Sequence, residues 1–310
     1  MSLTYGYEPC ALTSAPVDEP LRDGLVLCRV SSWITGNRLV SVPFADHCEP
    51  LLADDHDFSE FMVYLQAKCD RRHWKYVEFR PLSGSQEREY GLQASNTYWV
   101  HRLDTTSGVE QLEYGLHKNS FQRNIRRARV EKLSYDVGNS AQLIEEFYHL
   151  LLTTRRRHHL LPQPRKWFKN LVACMAEMVQ IRLARKNGIP IAAMLTLRHG
   201  STVVFKYGCS DARFHNLGGV PFLFWKLIED CKASGVESID LGRSDMTNHG
   251  LIAFKDRLGA ARELLTYYRY TRLKTSGLPV WDSSGLQGLV SFAPDWVLST
   301  AGRLVYRHVG

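Results

Sequence analysis

The segment GIPIAAMLTLRHGSTVVFKYGCSD (Gly188–Asp211) decides the fold, because it opens a patterned stretch that runs to Tyr270. Within it, Ile189–Arg198 is an apolar run and Ser201–Tyr207 is rich in β-branched and aromatic residues, a pattern typical of strands. His199-Gly200 lies between the two runs and supplies the glycine that a tight turn requires. The segment therefore predicts a hairpin.

A helix and a further strand are predicted to follow the hairpin. In Val220–Ser234 the apolar residues recur with a helical period, and Pro221 suits the first turn, where its missing N–H costs nothing. SIDL (Ser238–Leu241) then predicts a short buried strand, followed by a polar loop at Gly242–Asp245. A hairpin, a crossover helix and another strand indicate a mixed α/β (α+β) fold, with the site expected where the strands end.

Length and composition indicate an ordinary soluble globular protein. The chain has 310 residues, 44% of them hydrophobic and 23% charged, which predicts about two domains. The N-terminus lacks a basic region followed by an apolar core, and no apolar run is long enough to span a bilayer. We therefore expect a cytoplasmic protein. The cysteines are scattered without a CxxC pair, which is typical of reduced thiols: Cys10, Cys28, Cys48, Cys69, Cys174, Cys209 and Cys231.

Positive charge is concentrated in one region. The net charge is +7, and residues 116–165 hold ten Lys/Arg against four Asp/Glu. Arg126 and Arg127 lie in SFQRNIRRARVEK, where Ser120 is a plausible helix N-cap. A guanidinium matches phosphate oxygens with two donors, so these arginines predict contact with a polyanion. The alternative is that they are solvated residues on helix faces.

A second group of arginines closes a predicted helix. Arg155, Arg156 and Arg157 follow AQLIEEFYHLLLTT (Ala141–Thr154). Cations at a helix C-terminus are favoured by the helix dipole, and this explains the run without a ligand. Phosphate binding by Arg155, Arg156 and Arg157 is the other interpretation.

Four segments together resemble the FemAB-like acyltransferases, which are relatives of the GNAT acetyltransferases with two GNAT-like lobes. The segments are VFKYGCSD, LGGVPFLFWKLIE, SIDLGRSD and GLIAFKDRLGA, and the resemblance covers roughly residues 25–272. It implies an acyltransferase of the EC 2.3 class with acyl-CoA or aminoacyl-tRNA as donor and no permanently bound cofactor. The resemblance alone suggests an amine or hydroxyl of an anionic cell-envelope or polysaccharide precursor as acceptor. We expect no DNA partner.

The resemblance also implies a tandem arrangement. We predict an N-terminal GNAT-like lobe over residues 1–115, a basic connector over 116–133, a C-terminal acyltransferase lobe over 134–272 and an amphipathic tail over 273–310. FemAB-like chains usually begin with a further strand and helix. Here Leu25–Val30 is the first convincing strand, so the first lobe is expected to be shortened.

Several candidate site residues lie in the second lobe. GNAT relatives bind the donor pyrophosphate at a helix N-terminus, which here implies Asn216, Gly218, Gly219 and Val220, although the usual GNAT loop pattern is not intact. The Phe254-Lys255 pair resembles one in FemAB-like proteins, where the lysine is implicated in catalysis and the phenylalanine lies at the substrate. Without this resemblance, Lys255 would be interpreted as an exposed helix lysine that pairs with Asp256 or Glu263.

Other polar residues have two interpretations. Asp245 could accept a proton or orient an amine, and Arg243 could hold a carboxylate or phosphate, or both could serve the local turn. Tyr207 is predicted to face the substrate cleft or to lie in the core. His249 could act as a general base. Asp46, His47 and Glu49 stand too close together on one loop for a metal site, so none is predicted.

The tail predicts an amphipathic helix. Its apolar stripe consists of Val297, Leu298, Ala301, Leu304 and Val305, with a loop expected over Ser276–Gly285. The helix could pack on the protein, or residues 286–310 could rest on an anionic membrane face. The alternative to catalysis is a polyanion-binding or partner protein with a degenerate FemAB-like fold.

Overall fold

Strands and helices alternate along the chain, so the predicted mixed α/β fold is confirmed. The computed structural model describes residues 1–52, 55–82, 90–271 and 293–309. The strands are β1 (Glu8–Leu12), β2 (Leu25–Val30), β3 (Arg38–Ser41), β4 (Val77–Phe79), β5 (Gln93–Asp104), β6 (Ser134–Gly138), β7 (Val179–Lys186), β8 (Ile189–His199), β9 (Thr202–Ser210), β10 (Ser238–Asp245) and β11 (Ala261–Tyr270). The α-helices are α1 (Ser2–Tyr5), α2 (Asp55–Arg72), α3 (Val109–Gly115), α4 (Arg123–Val130), α5 (Ala141–Arg157), α6 (Arg165–Met175), α7 (Gly219–Ala233), α8 (His249–Arg257) and α9 (Asp295–Val309).

The chain divides into two units, and each unit contains residues from separate parts of the sequence. Unit 1 comprises the described residues within Met1–Tyr98, Leu264–Asp282 and Arg303–Gly310. Unit 2 comprises those within Trp99–Glu263 and Ser283–Gly302. Each predicted lobe, in contrast, is one continuous stretch of sequence. The boundaries of the lobes stay a prediction.

Unit 1 is a sheet with strand order β1-β2-β3-β4-β11, in which only β3 and β4 run parallel. Helix α2 packs its buried residues Phe61, Met62 and Leu65 against Leu27 and Phe79 of the sheet. Strand β1 precedes Leu25, so the interpretation of Leu25–Val30 as the first strand is wrong. The sequence EPCAL is exposed along nearly its whole length, and an edge strand with no buried face lacks the alternation that reveals strands.

Unit 2 is a sheet with strand order β5-β10-β9-β8-β7-β6. Strands β6 to β9 are antiparallel neighbours, and β10 runs parallel to β9 because α7 crosses over between them. The predicted hairpin and helix lie where the sequence indicated. The predicted polar loop Gly242–Asp245 is instead the end of β10, a strand that lies beside β5 in the sheet.

A bulge in β9 distributes its aromatic side chains to opposite faces of the sheet. Leu195 pairs with Tyr207 and Thr196 pairs with Phe205, so Lys206 is an extra residue. Phe205 therefore packs on Phe224 of α7, with 4.9 Å between ring centroids. Tyr207 turns to α6, where its ring lies 5.2 Å from Phe168. Without the bulge these two side chains would share one face.

One helix starts, and another helix ends, at a residue other than the predicted one. A π-helical turn, Lys118–Gln122, precedes α4, and its cap is His117, whose Nδ1 accepts from the Ser120 N–H at 3.2 Å. The predicted Ser120 cap is therefore wrong. Helix α5 is capped by Ser140 and includes all three arginines of its last turn.

Helix α9 packs on the protein through a few residues. Leu298 is 2% exposed, and Ser299 hydrogen-bonds the Tyr148 hydroxyl at 3.2 Å. A side chain at Gly302 would lie 1.9 Å from the Pro162 carbonyl oxygen, so glycine permits this close approach. Leu304 of the predicted stripe is 58% exposed. The predicted Ser276–Gly285 loop lies outside the described residues, and none of the described helices is both long and apolar enough to cross a bilayer.

Candidate functional site

A cavity of about 750 Å³ lies in unit 2, where β9 and β10 separate. The two strands pair only at Thr202–Val204 with Ser238–Asp240, at their starts. Beyond these residues β9 borders the cavity through Phe205, Gly208 and Ser210. Its volume is within the range of small-molecule sites, about 300–1,000 Å³.

Most of the cavity wall is apolar. Phe205, Phe224 and Phe254 form one side, and the Phe254 ring lies 5.5 Å from Phe224. Gly208 leaves room for the Phe205 ring, since a side chain there would lie 2.7 Å from its Cζ. The predicted substrate residue Phe254 thus borders the cavity, where it offers an apolar contact.

One edge of the cavity is polar. The Ser210 Oγ lies 2.9 Å from the His215 Nε2, and an Arg157 guanidinium nitrogen lies 3.3 Å from the same ring nitrogen. Arg157 also donates to the Ser210 carbonyl at 3.1 Å. Burial, followed by the charge of Arg157, lowers the pKa of His215. Thr154 and His158 complete this edge.

The start of α7 also borders the cavity, and no described side chain caps it. Of the predicted donor-binding residues, Gly219 and Val220 line the cavity, Gly218 adopts a left-handed conformation before α7, and Asn216 is exposed. A side chain at Gly218 would lie 2.3 Å from the Asn124 carbonyl oxygen. This glycine is therefore required by packing on α4. The first N–H groups of a helix and its dipole favour an anion at this end.

Lys255 is buried, which contradicts its interpretation as an exposed lysine. It is 3% exposed, and its Nζ donates to the carbonyl oxygens of Gly242 at 2.8 Å and Arg243 at 3.0 Å. These carbonyls belong to the part of β10 that has left β9. Lys255 therefore holds the separated strand, and it does not line the cavity.

The polar residues at the end of β10 are dispersed. Asp245 is exposed, and its carbonyl accepts from the Asn248 N–H at 2.9 Å. Arg243 is half-buried and offers its carbonyl to Lys255. His249 is exposed at the start of α8. The cavity lining includes none of these three residues, whereas the α8 cap Asn248 belongs to it.

The arginine run at the end of α5 serves different contacts. Arg156 binds Asp295 at 2.8 Å and the Ala293 carbonyl at 2.6 Å, at the start of α9. Arg155 lies 3.5 Å from the Gln163 side-chain oxygen. Only Arg157 reaches the cavity, because successive helical residues point about 100° apart.

The connector arginines lie away from the cavity on α4. Arg126 and Arg127 are both exposed, and Arg127 pairs with Glu131 at 2.6 Å. Exposed pairs one helical turn apart stabilise a helix by only about 0.2–0.5 kcal/mol. Arg126 and Arg127 therefore form an exposed basic surface, and their contact with a polyanion stays a prediction.

Tyr207 belongs to the core on the α5 and α6 side, and the buried Cys209 contacts α5 while it also borders the cavity. The Tyr207 hydroxyl accepts from the Trp167 indole at 3.0 Å. The bulge in β9 explains why this side chain does not lie on the same face as Phe205. The Cys209 Sγ lies 3.7 Å from the Phe147 carbonyl, and burial raises the pKa of its thiol. Among the described residues, no cluster of His, Cys, Asp and Glu could hold a metal ion.

Sequence reasoning missed Ser210 and His215 as a pair. Both lie in the segment GCSDARFHNLGG, between the predicted hairpin and the predicted helix, for which the sequence predicts no regular structure. Ser210 instead ends β9, and Ala212–Leu217 forms a 3₁₀ helix that turns His215 back towards Ser210. The available signal was a serine and a histidine between a strand and a helix that begins at Gly219.

Known proteins share this fold. A family model described as the Acetyltransferase (GNAT) domain matches residues 117–256. No curated protein matches the chain. Among solved structures the chain is similar to FemX, with a TM-score of 0.69, 10% identity, and coverage of 86% of this chain and 88% of FemX.

Two further solved structures are similar to this chain in fold. The C-terminal domain of a putative lysylphosphatidylglycerol synthetase from Agrobacterium fabrum has a TM-score of 0.57 and 15% identity, with 79% of this chain and 80% of that domain covered. A tandem GNAT protein from the clavulanic acid biosynthesis pathway has a TM-score of 0.53 and 11% identity, with 87% and 85% covered.

Residues 117–256 therefore form a GNAT-type acetyltransferase domain, and the chain is an acyltransferase. The predicted resemblance to the FemAB-like acyltransferases is confirmed by this family match together with the FemX-like fold.

Proposed function

We propose that the cavity between β9 and α8 binds the acyl end of a donor, and that the start of α7 with Arg157 binds the donor's phosphates. The observation that carries this proposal is the cavity itself, an apolar space with an uncapped helix start and a guanidinium at one edge. Acyl transfer requires the donor carbonyl to be held beside the nucleophile, and water is better excluded by an apolar wall.

Two donor classes fit these features. Acyl-CoA carries a pyrophosphate that suits the α7 start, and a narrow apolar chain that suits the cavity. Aminoacyl-tRNA is a polyanion that would also use the exposed arginines of α4. No cofactor is required to stay bound in either case.

The proposed acceptor is an amine or hydroxyl of an anionic cell-envelope or polysaccharide precursor. This proposal is supported by likeness to FemX and to the putative lysylphosphatidylglycerol synthetase. A cytoplasmic protein that contacts the inner membrane face through residues of α9 would meet such precursors. The exposed Trp296, Leu304 and Arg303 of that helix are compatible with a lipid surface.

The test combines a donor screen with a blocked cavity. The protein is incubated with acetyl-CoA or charged tRNA and a panel of envelope precursors, and acceptor masses are measured. Val220→Asp places a carboxylate on the cavity wall and should abolish transfer and donor binding. Val137→Asp changes a partly exposed valine on β6 and should leave both unchanged.

A substitution at Val220 tests the donor site more specifically than one at Gly219. A side chain at Gly219 would lie 3.1 Å from the Ala192 Cβ, so substitution there disturbs packing as well as the cavity. If Val220→Asp folds and still transfers an acyl group at the wild-type rate, the cavity is not the donor site. Steeply salt-dependent RNA binding without turnover would favour the polyanion-binding alternative.

A further inference from the structure

We propose that a cavity between strand β1 and helix α2, both in unit 1, binds a small organic phosphate, namely a phosphate monoester that carries an apolar or aromatic group. This cavity measures about 270 Å³ and shares no lining residue with the proposed donor cavity of unit 2. Its volume is just under the usual range of small-molecule sites, about 300–1,000 Å³, so it suits a ligand with a single ring. The inference goes beyond the proposed function and does not depend on it.

One side of this cavity is the sheet at its edge strand. Glu8, Cys10 and Leu12 alternate along β1 and therefore point to one face of the sheet. Glu8 pairs with Arg29 of β2, and Arg29 pairs with Leu39 of β3, so the side chains of these three residues share that face. Helix α2 packs on the same face over the inner strands and leaves a space over β1.

The other side of the cavity continues the face of α2 that packs on the core. Leu65, Lys68 and Arg72 follow one another at spacings of three and four residues, so they form one stripe along the helix. Leu65 is 1% exposed, which shows that this stripe faces the sheet. Lys68 and Arg72 extend the stripe and border the cavity. Two cations one helical turn apart repel each other, and a bound anion offsets that repulsion.

Part of the wall is apolar. Leu39 and Leu65 belong to the core of unit 1, and the partly buried Leu12 and Trp74 pack against that core. All four side chains line the cavity. An apolar group that binds there removes apolar surface from water, which favours binding. The indole of Trp74 also offers a contact to an aromatic ring.

The charged part of the wall is mostly cationic. Its cations are Arg29, Lys68 and Arg72, and Glu8 is the one acid among the described residues that line it. Three cations against one carboxylate leave two positive charges in excess. A phosphate monoester carries about −1.5 to −2 charge at pH 7, close to this excess, whereas a carboxylate or sulfonate carries a single charge. The dipole of α2 favours Arg72 in its last turn but does not account for Arg29 or Lys68.

Two of these cations have donors to offer a ligand. Nη1 of Arg29 donates to Glu8 at 3.0 Å, whereas its Nε is buried and has no hydrogen-bond partner among the described residues. A buried donor without a partner costs free energy, and a phosphate oxygen would remove that cost. Nε and Nη2 of a guanidinium point the same way and match two oxygens of one phosphate. The Lys68 ammonium donates to the Tyr64 hydroxyl at 2.6 Å and has two further protons.

Cys10 reports on the occupancy of the cavity. The residue is exposed, and it lines the cavity. Burial raises the pKa of its thiol, the charge of Lys68 lowers that pKa and the charge of Glu8 raises it, so both charged groups act at the sulfur. A ligand bound between them shields the thiol from alkylation. Cys174, which is exposed on α6 of unit 2, is the reference in the same chain.

The test uses phenyl phosphate as the probe. The full chain is alkylated with N-ethylmaleimide, and peptide mass spectrometry follows each cysteine. Saturating phenyl phosphate should slow alkylation of Cys10 and leave that of Cys174 unchanged. Three compounds each lack one feature: benzenesulfonate the second charge, inorganic phosphate the ring, and benzyl alcohol the anion. Each should require at least about tenfold more compound for the same protection, the effect of one lost favourable contact.

Variants of α2 test the cations. Lys68→Gln and Arg72→Gln should each weaken phenyl phosphate binding at least about tenfold in calorimetry, because each removes a charged donor. Arg71→Gln is the matched control, an exposed arginine of the same helix that does not line the cavity, and it should bind as the wild type does. Circular dichroism verifies the fold of each variant. Absence of binding, binding that leaves Cys10 unshielded, equal protection by benzenesulfonate, or an equal loss in Arg71→Gln overturns the inference. None of these measurements involves acyl transfer, so each outcome leaves the proposed function unaffected.

Discussion

The ends of β9 and β10 carry similar kinds of residue and use them differently. The two strands start side by side, separate after Val204 and Asp240, and each ends in polar side chains. At the end of β9, Ser210 and its neighbours face a cavity. At the end of β10, the polar contacts are made by the backbone, whose carbonyls are occupied by Lys255.

This difference shows that a charged residue near a strand end does not by itself indicate a binding site. Once β10 leaves β9, its carbonyls lose a possible strand partner, and buried polar groups require hydrogen bonds. Lys255 satisfies two of them. Arg157 makes one contact to a carbonyl at the end of β9 and still borders the cavity.

The largest expected effect concerns Lys255. Lys255→Met keeps the length of the side chain but leaves two buried carbonyls without their donor, so the free energy of unfolding should fall by about 2–4 kcal/mol. Urea unfolding measures the change. Arg257→Ala, an exposed cation on the same helix, should change it by less than about 0.5 kcal/mol. A stable Lys255→Met protein that has lost only turnover would return Lys255 to a catalytic role.

Variants of Arg157 and Arg156 distinguish an effect on donor binding from an effect on stability. Arg157→Gln should raise the donor KM at least about tenfold, equivalent to about 1.4 kcal/mol of binding, with little change in thermal stability. Arg156→Gln should leave KM unchanged and lower stability by at most about 1 kcal/mol, because its pair with Asp295 is partly exposed. Steady-state kinetics and melting curves measured on both variants test this, and exchanged effects would contradict the assignment.

Each region also contains a histidine that is held neutral. Burial, followed by the charge of Lys255, lowers the pKa of His101, whose Nε2 lies 3.3 Å from Asp256 without hydrogen-bond geometry. Asp256 opposes this shift, and Arg262 adds to it. The pKa of His215 is lowered by burial and Arg157.

The direction of the pH dependence follows from these shifts. Below the unfolded pKa of about 6.5, the unfolded chain binds a proton that the folded chain does not. Stability should therefore fall as the pH drops below about 6.5. His101→Gln should reduce this slope more than His215→Gln, since the His101 side chain is fully buried and the His215 side chain is only partly removed from solvent. Denaturant titrations at several pH values measure the slopes, and equal slopes in wild type and His101→Gln would refute the prediction.

The smallest effect is expected from the connector. Replacing Arg126 and Arg127 together by Gln should raise the apparent KM for a phosphate-bearing substrate by a few-fold, roughly 0.5–1 kcal/mol. It should also flatten the salt dependence, because fewer counterions are released. The melting temperature should barely change. Arg71→Gln, at an exposed position of α2, is the control. A large stability loss with unchanged KM would show that Arg126 and Arg127 are structural.

Much of unit 2 could be predicted because its signals are local. The hairpin β8–β9, the crossover helix α7 and the start of β10 follow from periodicity and turn residues, and the predicted ends lie within a few residues of those observed. Strand β1 could not be predicted, since an exposed edge strand has no apolar face to read.

The candidate site was only partly predictable. Gly219 and Val220 were expected at the donor site and Phe254 at the substrate, and all three border the cavity. Asp245, Arg243, Arg155 and Arg156 were expected there as well, and the structure places them elsewhere. Their chemistry suits a ligand, but the direction of a side chain depends on helix rotation and strand pairing, which a single residue's identity does not encode.

The sequence by itself determined the mixed α/β fold, the basic surface of α4 and the resemblance to FemAB-like acyltransferases, because each depends on residue order and local period. Only the tertiary structure decided which side chains meet. A single extra residue at Lys206 sends Phe205 and Tyr207 to opposite faces of the sheet. Arg157 reaches Ser210 across 53 positions of sequence, and Lys255 turns inward to the carbonyls of Gly242 and Arg243. These contacts join residues far apart in the chain, so packing and hydrogen-bond satisfaction determine them.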